Sequence, residues 1–239
     1  MTRDTYALHN VVETEPWLGG TRLLRYPTEV RLALNERARF VALRHAGCEI
    51  RFVTEAPMVR VTLSFPVGEG EVIVFRGGYV LGRHVIPSGE TRTLELNMPE
   101  RFCEIRRDRL ESGGFSPDVW RVMVMWNEVV FHGLDTLGHA CRPPRADELP
   151  PVRWLAYGSS ITHGSGATVH TSCYVQQAAQ RLGWDVHNMG LGGSCHCEKE
   201  VADFFASRDD WDIATLELGI NMRGQYTADE IGRASCRER

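Results

Sequence analysis

Short segments with the hydrophobic pattern of β-strands fill the first 135 residues or so of the chain. In residues 59–63, Val-Arg-Val-Thr-Leu, the alternation places one face in a core and the other in water. Turn-forming pairs such as Gly77-Gly78 separate the segments. We predict strands over residues 32–34, 40–43, 49–53, 59–63, 72–75, 79–86, 91–96, 119–125 and 129–131. Many short strands without long helical patterns between them are typical of a β-sandwich, so we predict a jelly-roll-like sandwich domain over residues 1–137.

The pattern changes after residue 137. Residues 138–151 include four prolines and few large apolar side chains, which predicts a linker. Beyond it, strand-like runs alternate with segments of helical periodicity, in the order strand 152–157, helix 172–182, strand 184–188, helix 198–207 and strand 212–218. Strand–helix–strand order with short connections predicts an α/β domain with three parallel strands over residues 152–229.

The end of the sequence does not continue this alternation. Residues 228–230 resemble the start of a helix, but residues 230–239 have no apolar face and resemble the in-frame translation of a sequencing adapter. We interpret them as a non-native tail; a natural polar tail is the alternative. Because three strands are few for a doubly wound domain, we expect a truncated domain. Its last strand would present an unpaired apolar edge and lower the solubility of the chain.

Composition narrows the classes of partner. The net charge is −4 and the sequence has no basic stripe, which argues against nucleic acid. No apolar run approaches the twenty or so residues of a membrane span, and residues 1–6 lack the apolar core of a signal peptide. The seven cysteines are scattered and odd in number. We therefore expect reduced thiols and a cytoplasmic location.

Polar and glycine-rich blocks follow each of the three predicted parallel strands, where ligands bind in open α/β sheets. They are Tyr-Gly-Ser-Ser-Ile-Thr-His-Gly at 157–164, Asn-Met-Gly-Leu-Gly-Gly-Ser at 188–194 and Glu-Leu-Gly-Ile-Asn at 217–221. A serine at a strand-to-helix turn is exposed and close to helix N–H groups. A glycine allows close backbone approach, and a fixed amide donor can stabilise the negative charge of a tetrahedral intermediate.

Together, these blocks resemble the first three signature blocks of the SGNH hydrolases, also called the GDSL lipase/esterase family, over about residues 152–229. The resemblance implies a flavodoxin-like fold with Ser160 as the nucleophile. It also implies an oxyanion hole formed by the Gly193 N–H and the Asn221 side chain, together with the Ser160 N–H. A preceding β-sandwich is similar to a subgroup that includes carbohydrate acetyl esterases. This implies removal of acetyl groups from a small-molecule or oligosaccharide ester through an acyl-enzyme, without metal or cofactor, in a chain that can be a homo-oligomer.

The sequence departs from the family pattern in three places. Ser159 occupies the usual aspartate position, which makes it a rival nucleophile, and Met222 replaces a frequent aspartate. The block Asp-x-x-His, which supplies the general base and its orienting acid, is absent from the sequence. A serine hydroxyl without such a base is a poor nucleophile at neutral pH, so we expect this chain to have little or no esterase activity.

Several alternatives remain open at this point. His163, His170 or His196 could act as the base, although loop polarity or substrate contact explains them more simply. Cys195-His196-Cys197 contains zinc-ligand residue types, but without a second pair a turn beside Gly193 is the preferred interpretation. The chain could instead be a non-catalytic carbohydrate-binding protein that uses its β-sandwich. A thioesterase or lysophospholipase on the same scaffold is the third hypothesis.

Overall fold

The strands described between residues 7 and 142 form two antiparallel sheets. The computed structural model describes residues 5–111 and 114–237, with side chains up to residue 233. The strands are β1 (Ala7–His9), β2 (Glu13–Trp17), β3 (Gly20–Leu24), β4 (Ala46–Thr54), β5 (Met58–Ser64), β6 (Gly70–Arg76), β7 (Tyr79–Ile86), β8 (Thr91–Asn97), β9 (Val119–Met125), β10 (Val130–Asp135) and β11 (Cys141–Arg142). The first sheet has the order β1-β4-β9-β6-β7, with β11 also paired to β4, and the second has the order β2-β3-β10-β5-β8.

The two sheets share one apolar core. β4 and β9 of the first sheet and β5 and β8 of the second contribute its alternating inward side chains, and Phe52 stacks on Trp120 with ring centroids 6.2 Å apart. The main buried members are Cys48, Ile50, Phe52, Val59, Val61, Leu63, Phe65, Val72, Val74, Leu94, Leu96, Trp120, Val122, Val124 and Phe131. The prediction of a sheet-rich N-terminal part is confirmed.

Two of the predicted strands were wrong. Residues 32–34 and 40–43 belong to or adjoin helices α1 (Thr28–Ala33) and α2 (Glu36–Val41). The Asn35 side chain caps α2 by accepting a hydrogen bond from the Ala38 N–H at 3.0 Å. The buried positions 30, 34, 38 and 41 recur at intervals of four, four and three residues, which is the period of a helix. Short helices α3 (Glu100–Cys103) and α4 (Arg107–Leu110) follow β8.

The predicted parallel sheet is confirmed. β12 (Val152–Gly158) lies between β13 (Trp184–Asn188) and β14 (Ile213–Glu217), and all three strands run in the same direction. Within the described part of the chain β14 is an edge strand, with positions 213–215 exposed. The helices are α5 (Ser160–His163), α6 (Tyr174–Leu182), α7 (Lys199–Ala206) and α8 (Ala228–Arg237). α8 thus includes residues 230–237 of the segment 230–239, for which the sequence predicts a non-native tail.

α1 and α2 pack against the parallel sheet. They share an apolar core with β12 and α7, formed by Tyr26, Val30, Leu34, Ala38, Val41, Ala42, Leu155, Tyr157, Met189, Leu191, Cys195, Val201 and Phe205. The predicted linker also takes part in the fold, because β11 pairs with β4 and the buried Glu148 carboxylate accepts two hydrogen bonds from Arg142, each 2.7 Å long. No helix among the described residues has the length and apolar character needed to cross a bilayer.

Polar contacts reinforce this junction at its buried centre. The Arg25 guanidinium donates to the carbonyls of Asn188 at 2.9 Å and Gly190 at 3.3 Å, and the Tyr26 hydroxyl donates to the Met189 carbonyl. The loop after β13 is therefore held by residues that lie more than 160 positions earlier in the sequence. This is the loop that carries the second of the three signature blocks.

Candidate active site

Ser160 is the first residue of α5, two residues after the end of β12. Its backbone carbonyl accepts hydrogen bonds from the N–H groups of Gly164 at 3.0 Å and Ser165 at 2.8 Å. Its side chain is half-buried, and its hydroxyl makes no hydrogen bond with any residue of segments 5–111 and 114–237. The hydroxyl predicted as the nucleophile is therefore uncommitted.

Ser159, the rival nucleophile, is fully engaged. Its hydroxyl donates to Glu217 Oε2 at 2.5 Å, and its backbone N–H donates to the same oxygen at 2.7 Å. The side chain is buried. Ser159 is therefore a structural partner of Glu217, and the geometry favours Ser160 as the reactive serine.

The second block packs against the turn that contains Ser160 because its glycines have no side chains that would collide with that turn. A Cβ placed on Gly190 would lie 2.3 Å from the His163 N and 2.6 Å from its Cα, closer than atoms can approach. A Cβ on Gly192 would lie 3.6 Å from the Ser160 Cα, which is ordinary van der Waals contact. The Asn188 side chain joins the two segments by donating to the Thr162 carbonyl at 2.7 Å. The first two blocks are thus in direct contact.

A cation from the N-terminal part lies over Gly193, the predicted oxyanion-hole glycine. Gly193 has φ +73°, and a Cβ there would lie 2.6 Å from Arg37 Nη2. Arg37 is exposed and makes no ion pair or hydrogen bond with another residue in the described segments. Its helix, α2, is fixed to this loop because Asn35 Nδ2 donates to the Ser194 carbonyl at 3.1 Å. The unpaired guanidinium therefore lies beside the backbone of Gly193.

Asn221, in the third block, is oriented by the second. Its Oδ1 accepts a hydrogen bond from the Cys195 N–H at 3.1 Å, two residues after Gly193. Because the amide oxygen is engaged in this way, the amide NH₂ is left to donate to another group. The three predicted residues follow the C-terminal ends of parallel strands, and the Asn188–Thr162 and Cys195–Asn221 hydrogen bonds join their loops at the same end of the sheet.

None of the three candidate histidines is hydrogen-bonded to Ser160 in the structure. His163 Nδ1 accepts from the Gly192 N–H at 3.3 Å, and burial together with the Arg25 charge lowers its pKa well below the usual value. Burial lowers the pKa of His170 to about 3, and its ring packs edge-on against Trp126. His196 Nδ1 meets the Tyr226 hydroxyl at 3.4 Å. Rings with pKa values as low as those of His163 and His170 are weak general bases at neutral pH.

The structure does not support a zinc site at residues 195–197. The residues it describes contain no group of three or more His, Cys, Asp or Glu side chains arranged to hold a metal ion. A hydrogen bond with Cys197, together with burial, raises the pKa of the Cys195 thiol well above its usual value. Zinc binds the thiolate form, so these contacts favour a structural turn beside Gly193.

Comparison with solved structures finds proteins of similar fold. A salicylyl-acyltransferase from a tetracycline biosynthetic pathway has 16% sequence identity and a TM-score of 0.67, with 91% of this chain aligned to 60% of that one. A GDSL-like lipase from Bacteroides ovatus has 17% identity and a TM-score of 0.61, over 97% of this chain and 68% of that one. The chain has the SGNH hydrolase fold. It spans three-fifths to about two-thirds of the length of these two neighbours.

A third structural neighbour is a family two carbohydrate esterase from Clostridium thermocellum, solved in complex with cellohexaose. It has 14% identity and a TM-score of 0.54, over 96% of this chain and 71% of that one. No family model matches the sequence, and no curated protein matches it. At these identities the similarity shows the fold alone.

Two residues of the site were not predicted from the sequence. Glu217 lies inside the third block, but nothing in the block indicated a partner for its carboxylate. Arg37 lies in a segment predicted to precede a strand, more than 150 residues from Gly193 along the chain. Neither contact leaves a local sequence signal, because each depends on the packing of distant segments.

Proposed function

We propose that this chain is an SGNH-type serine ester hydrolase that acts through an acyl-enzyme. The Ser160 hydroxyl attacks the acyl carbon, the alcohol leaves, and water then hydrolyses the ester formed on Ser160. The N–H groups of Ser160 and Gly193 and the Asn221 amide stabilise the oxyanion of each tetrahedral intermediate. The general base in this proposal belongs to the family's Asp-x-x-His block, which the 239-residue sequence does not contain. We therefore propose that the chain itself has little activity.

The observation that carries the proposal is the fixed orientation of the Asn221 side chain, together with the uncommitted hydroxyl of Ser160. Its Oδ1 is engaged by the Cys195 N–H, so a donor remains for a developing oxyanion. A donor held in place before the reaction does not have to reorganise as charge develops. Losing one such donor typically costs about 3–4 kcal/mol of transition-state stabilisation.

We propose an acetylated carbohydrate as the substrate. The similarity in fold to a carbohydrate esterase in complex with cellohexaose supports this class. In the same proposal, the two antiparallel sheets form a jelly-roll-like sandwich that borders the substrate. We also propose a cytoplasmic, reducing location, in which the scattered cysteines would remain thiols.

A non-catalytic carbohydrate-binding protein is the second candidate. It is favoured by the Ser160 hydroxyl, which has no hydrogen-bonded base in the described part of the chain. The two functions predict opposite behaviour of Ser160 toward an activated ester. A hydrolase scaffold should acylate this serine when a base is supplied, whereas a binding protein should not.

Acetylation by 4-nitrophenyl acetate, with imidazole added as an external base, tests the proposal. We expect peptide mass spectrometry to find acetyl-Ser160 in the unsubstituted chain and none at this position in Ser160→Ala. Asn221→Ala should lower the acetylation rate by about 10²-fold. Ser172→Ala, which changes an exposed serine outside the three blocks, serves as the matched control and should leave the rate unchanged. Equal acetylation of Ser172 and Ser160, or an unchanged rate in Asn221→Ala, would overturn the proposal.

A further inference from the structure

One carboxylate oxygen organises the turn that carries the nucleophile. Glu217, the last residue of β14, accepts hydrogen bonds at Oε2 from the Ser159 N–H at 2.7 Å and the Ser159 hydroxyl at 2.5 Å. The Thr162 hydroxyl donates to the same oxygen at 3.3 Å and meets the Tyr174 hydroxyl at 2.8 Å. Ser159 and Thr162 are buried, so these contacts are largely shielded from water.

The backbone is shaped to admit this carboxylate. Gly158 lies opposite Glu217 in the parallel ladder between β12 and β14. A Cβ on Gly158 would lie 2.8 Å from Glu217 Oε2 and 2.4 Å from Thr162 Oγ1. A larger residue at position 158 would therefore force the carboxylate and the Thr162 hydroxyl apart. The position of the Glu217 carboxylate therefore depends on the glycine at position 158.

We infer that Glu217 is a positioning residue for Ser160, an inference that rests on the proposed function. The carboxylate acts through Ser159, the residue that precedes α5. Holding both the N–H and the hydroxyl of Ser159 fixes the peptide that leads into Ser160, and thereby the direction of the Ser160 side chain and N–H. The position filled by Ser159 has no carboxylate of its own, and the neighbouring strand supplies one instead. Charge-assisted hydrogen bonds of this kind are stronger than neutral ones.

A purely structural role for Glu217, holding β14 to β12, makes a different prediction. Asp212 provides the comparison, because its carboxylate accepts the Arg153 N–H at 2.8 Å at the opposite end of the same strand pair. It also binds the Arg153 side chain at 2.7 Å. If Glu217 only joins the strands, removing either acid should have similar effects. If it positions Ser160, only the loss of Glu217 should change the reactivity of that serine.

Labelling by a fluorophosphonate measures this reactivity on the intact chain, with imidazole present as the base. The Ser160 oxygen forms a bond to phosphorus, fluoride leaves, and imidazole takes the hydroxyl proton. We expect Glu217→Ala to lower the limiting labelling rate by on the order of 10²-fold with little change in the half-saturating probe concentration. Asp212→Ala should leave both values near those of the unsubstituted chain.

An exchange of the two side chains provides the rescue. Ser159→Asp alone places a second carboxylate beside Glu217 and should slow labelling, since like charges repel. The double variant Ser159→Asp/Glu217→Ser restores one carboxylate and one hydroxyl and should recover most of the rate. If Glu217→Ala does not fold, Glu217→Gln preserves the size of the side chain and should show a smaller loss of about tenfold. Labelling at an unchanged rate in the folded Glu217 variants would overturn the inference.

Amide hydrogen exchange separates this inference from the proposed function. Exchange at the Ser159 N–H should accelerate at least about tenfold in the Glu217 variants and stay unchanged in Asp212→Ala. If Ser160 is never labelled but this exchange pattern is observed, the hydrolase proposal fails and the positioning of the turn stands. If Ser160 is labelled but the Ser159 amide is equally protected in all variants, the role of Glu217 is refuted.

Discussion

The buried ion pair between Arg51 and Asp185 joins β4 of the antiparallel part to β13 of the parallel sheet. The guanidinium donates to both carboxylate oxygens, at 2.6 and 2.8 Å, and the side chains are 3% and 9% exposed. Asp185→Asn preserves the size of the side chain but leaves the Arg51 charge buried. Removing one partner of a buried pair costs about 3–5 kcal/mol. Because Glu49 still accepts from Arg51 Nε at 2.7 Å, we expect a loss of about 3 kcal/mol in the free energy of unfolding.

Urea unfolding followed by circular dichroism measures this loss, with two comparisons. Asp212→Asn breaks the Arg153–Asp212 pair, whose side chains are 42% and 41% exposed, and should cost about 0–1 kcal/mol. The double variant Arg51→Met/Asp185→Leu removes both buried charges and should recover most of the stability. A loss in Asp185→Asn no larger than that in Asp212→Asn, or no recovery in the double variant, would refute the reasoning.

The same pair should respond to acid. Burial alone would raise the pKa of Asp185, but the Arg51 guanidinium holds it well below its usual value. An acid whose pKa is lower in the folded state stabilises the fold above its unfolded pKa, about 3.9, and loses that contribution as the pH falls. The stability difference between the unsubstituted chain and Asp185→Asn should therefore shrink between about pH 5 and pH 2. A constant difference over this range would contradict the assignment.

Further outcomes can be checked directly. Burial lowers the pKa of His170 to about 3. Because the unfolded chain binds the proton at a pKa of about 6.5, the free energy of unfolding should begin to fall as the pH drops below that value. A His170 ring that titrates near pH 6.5 by NMR would contradict this. Gly190→Ala places a Cβ 2.3 Å from the His163 N and should lower the free energy of unfolding by about 1–3 kcal/mol. In Gly192→Ala the new Cβ meets nothing closer than 3.5 Å, so the loss should be smaller when both variants are compared by thermal unfolding. The exposed edge of β14 should promote self-association, which sedimentation velocity measures, and Ala214→Lys should reduce it. A chain that is monomeric both with and without this substitution would contradict the expected association through β14.

The strands of the fold were more predictable from the sequence than its short helices. The segment 79–86 coincides with β7 and 119–125 with β9, because both are long runs with a clear β pattern. Residues 32–34 and 40–43 each have the pattern of a short strand when taken as an isolated apolar run. The helical spacing of positions 30, 34, 38 and 41 extends across the Asn35 cap, so it becomes visible only when both helices are considered together.

In the candidate site, too, the residues within each sequence block were predictable, whereas their contacts with distant residues were not. Ser160, Gly193 and Asn221 could be proposed because each lies in a block just after a predicted strand. The contacts of the Glu217 carboxylate with Ser159 and of the Arg37 guanidinium with Gly193 could not be predicted. Neither Glu217 nor Arg37 is close in sequence to the residue that it contacts. A sequence block identifies the residue types at a site, whereas the packing of distant elements determines which side chains support them.

This packing also argues that the N-terminal part is needed for the geometry of the site. Arg25 is buried and donates to the Asn188 and Gly190 carbonyls, while Asn35 donates to the Ser194 carbonyl. These carbonyls span the whole second block, whose N–H groups must point toward the substrate if they are to stabilise an oxyanion. A loop secured through its carbonyls has its peptide planes fixed, and hence the direction of its N–H groups. The segment between β3 and β4 therefore acts as the scaffold of the proposed oxyanion hole, although it carries none of the signature residues.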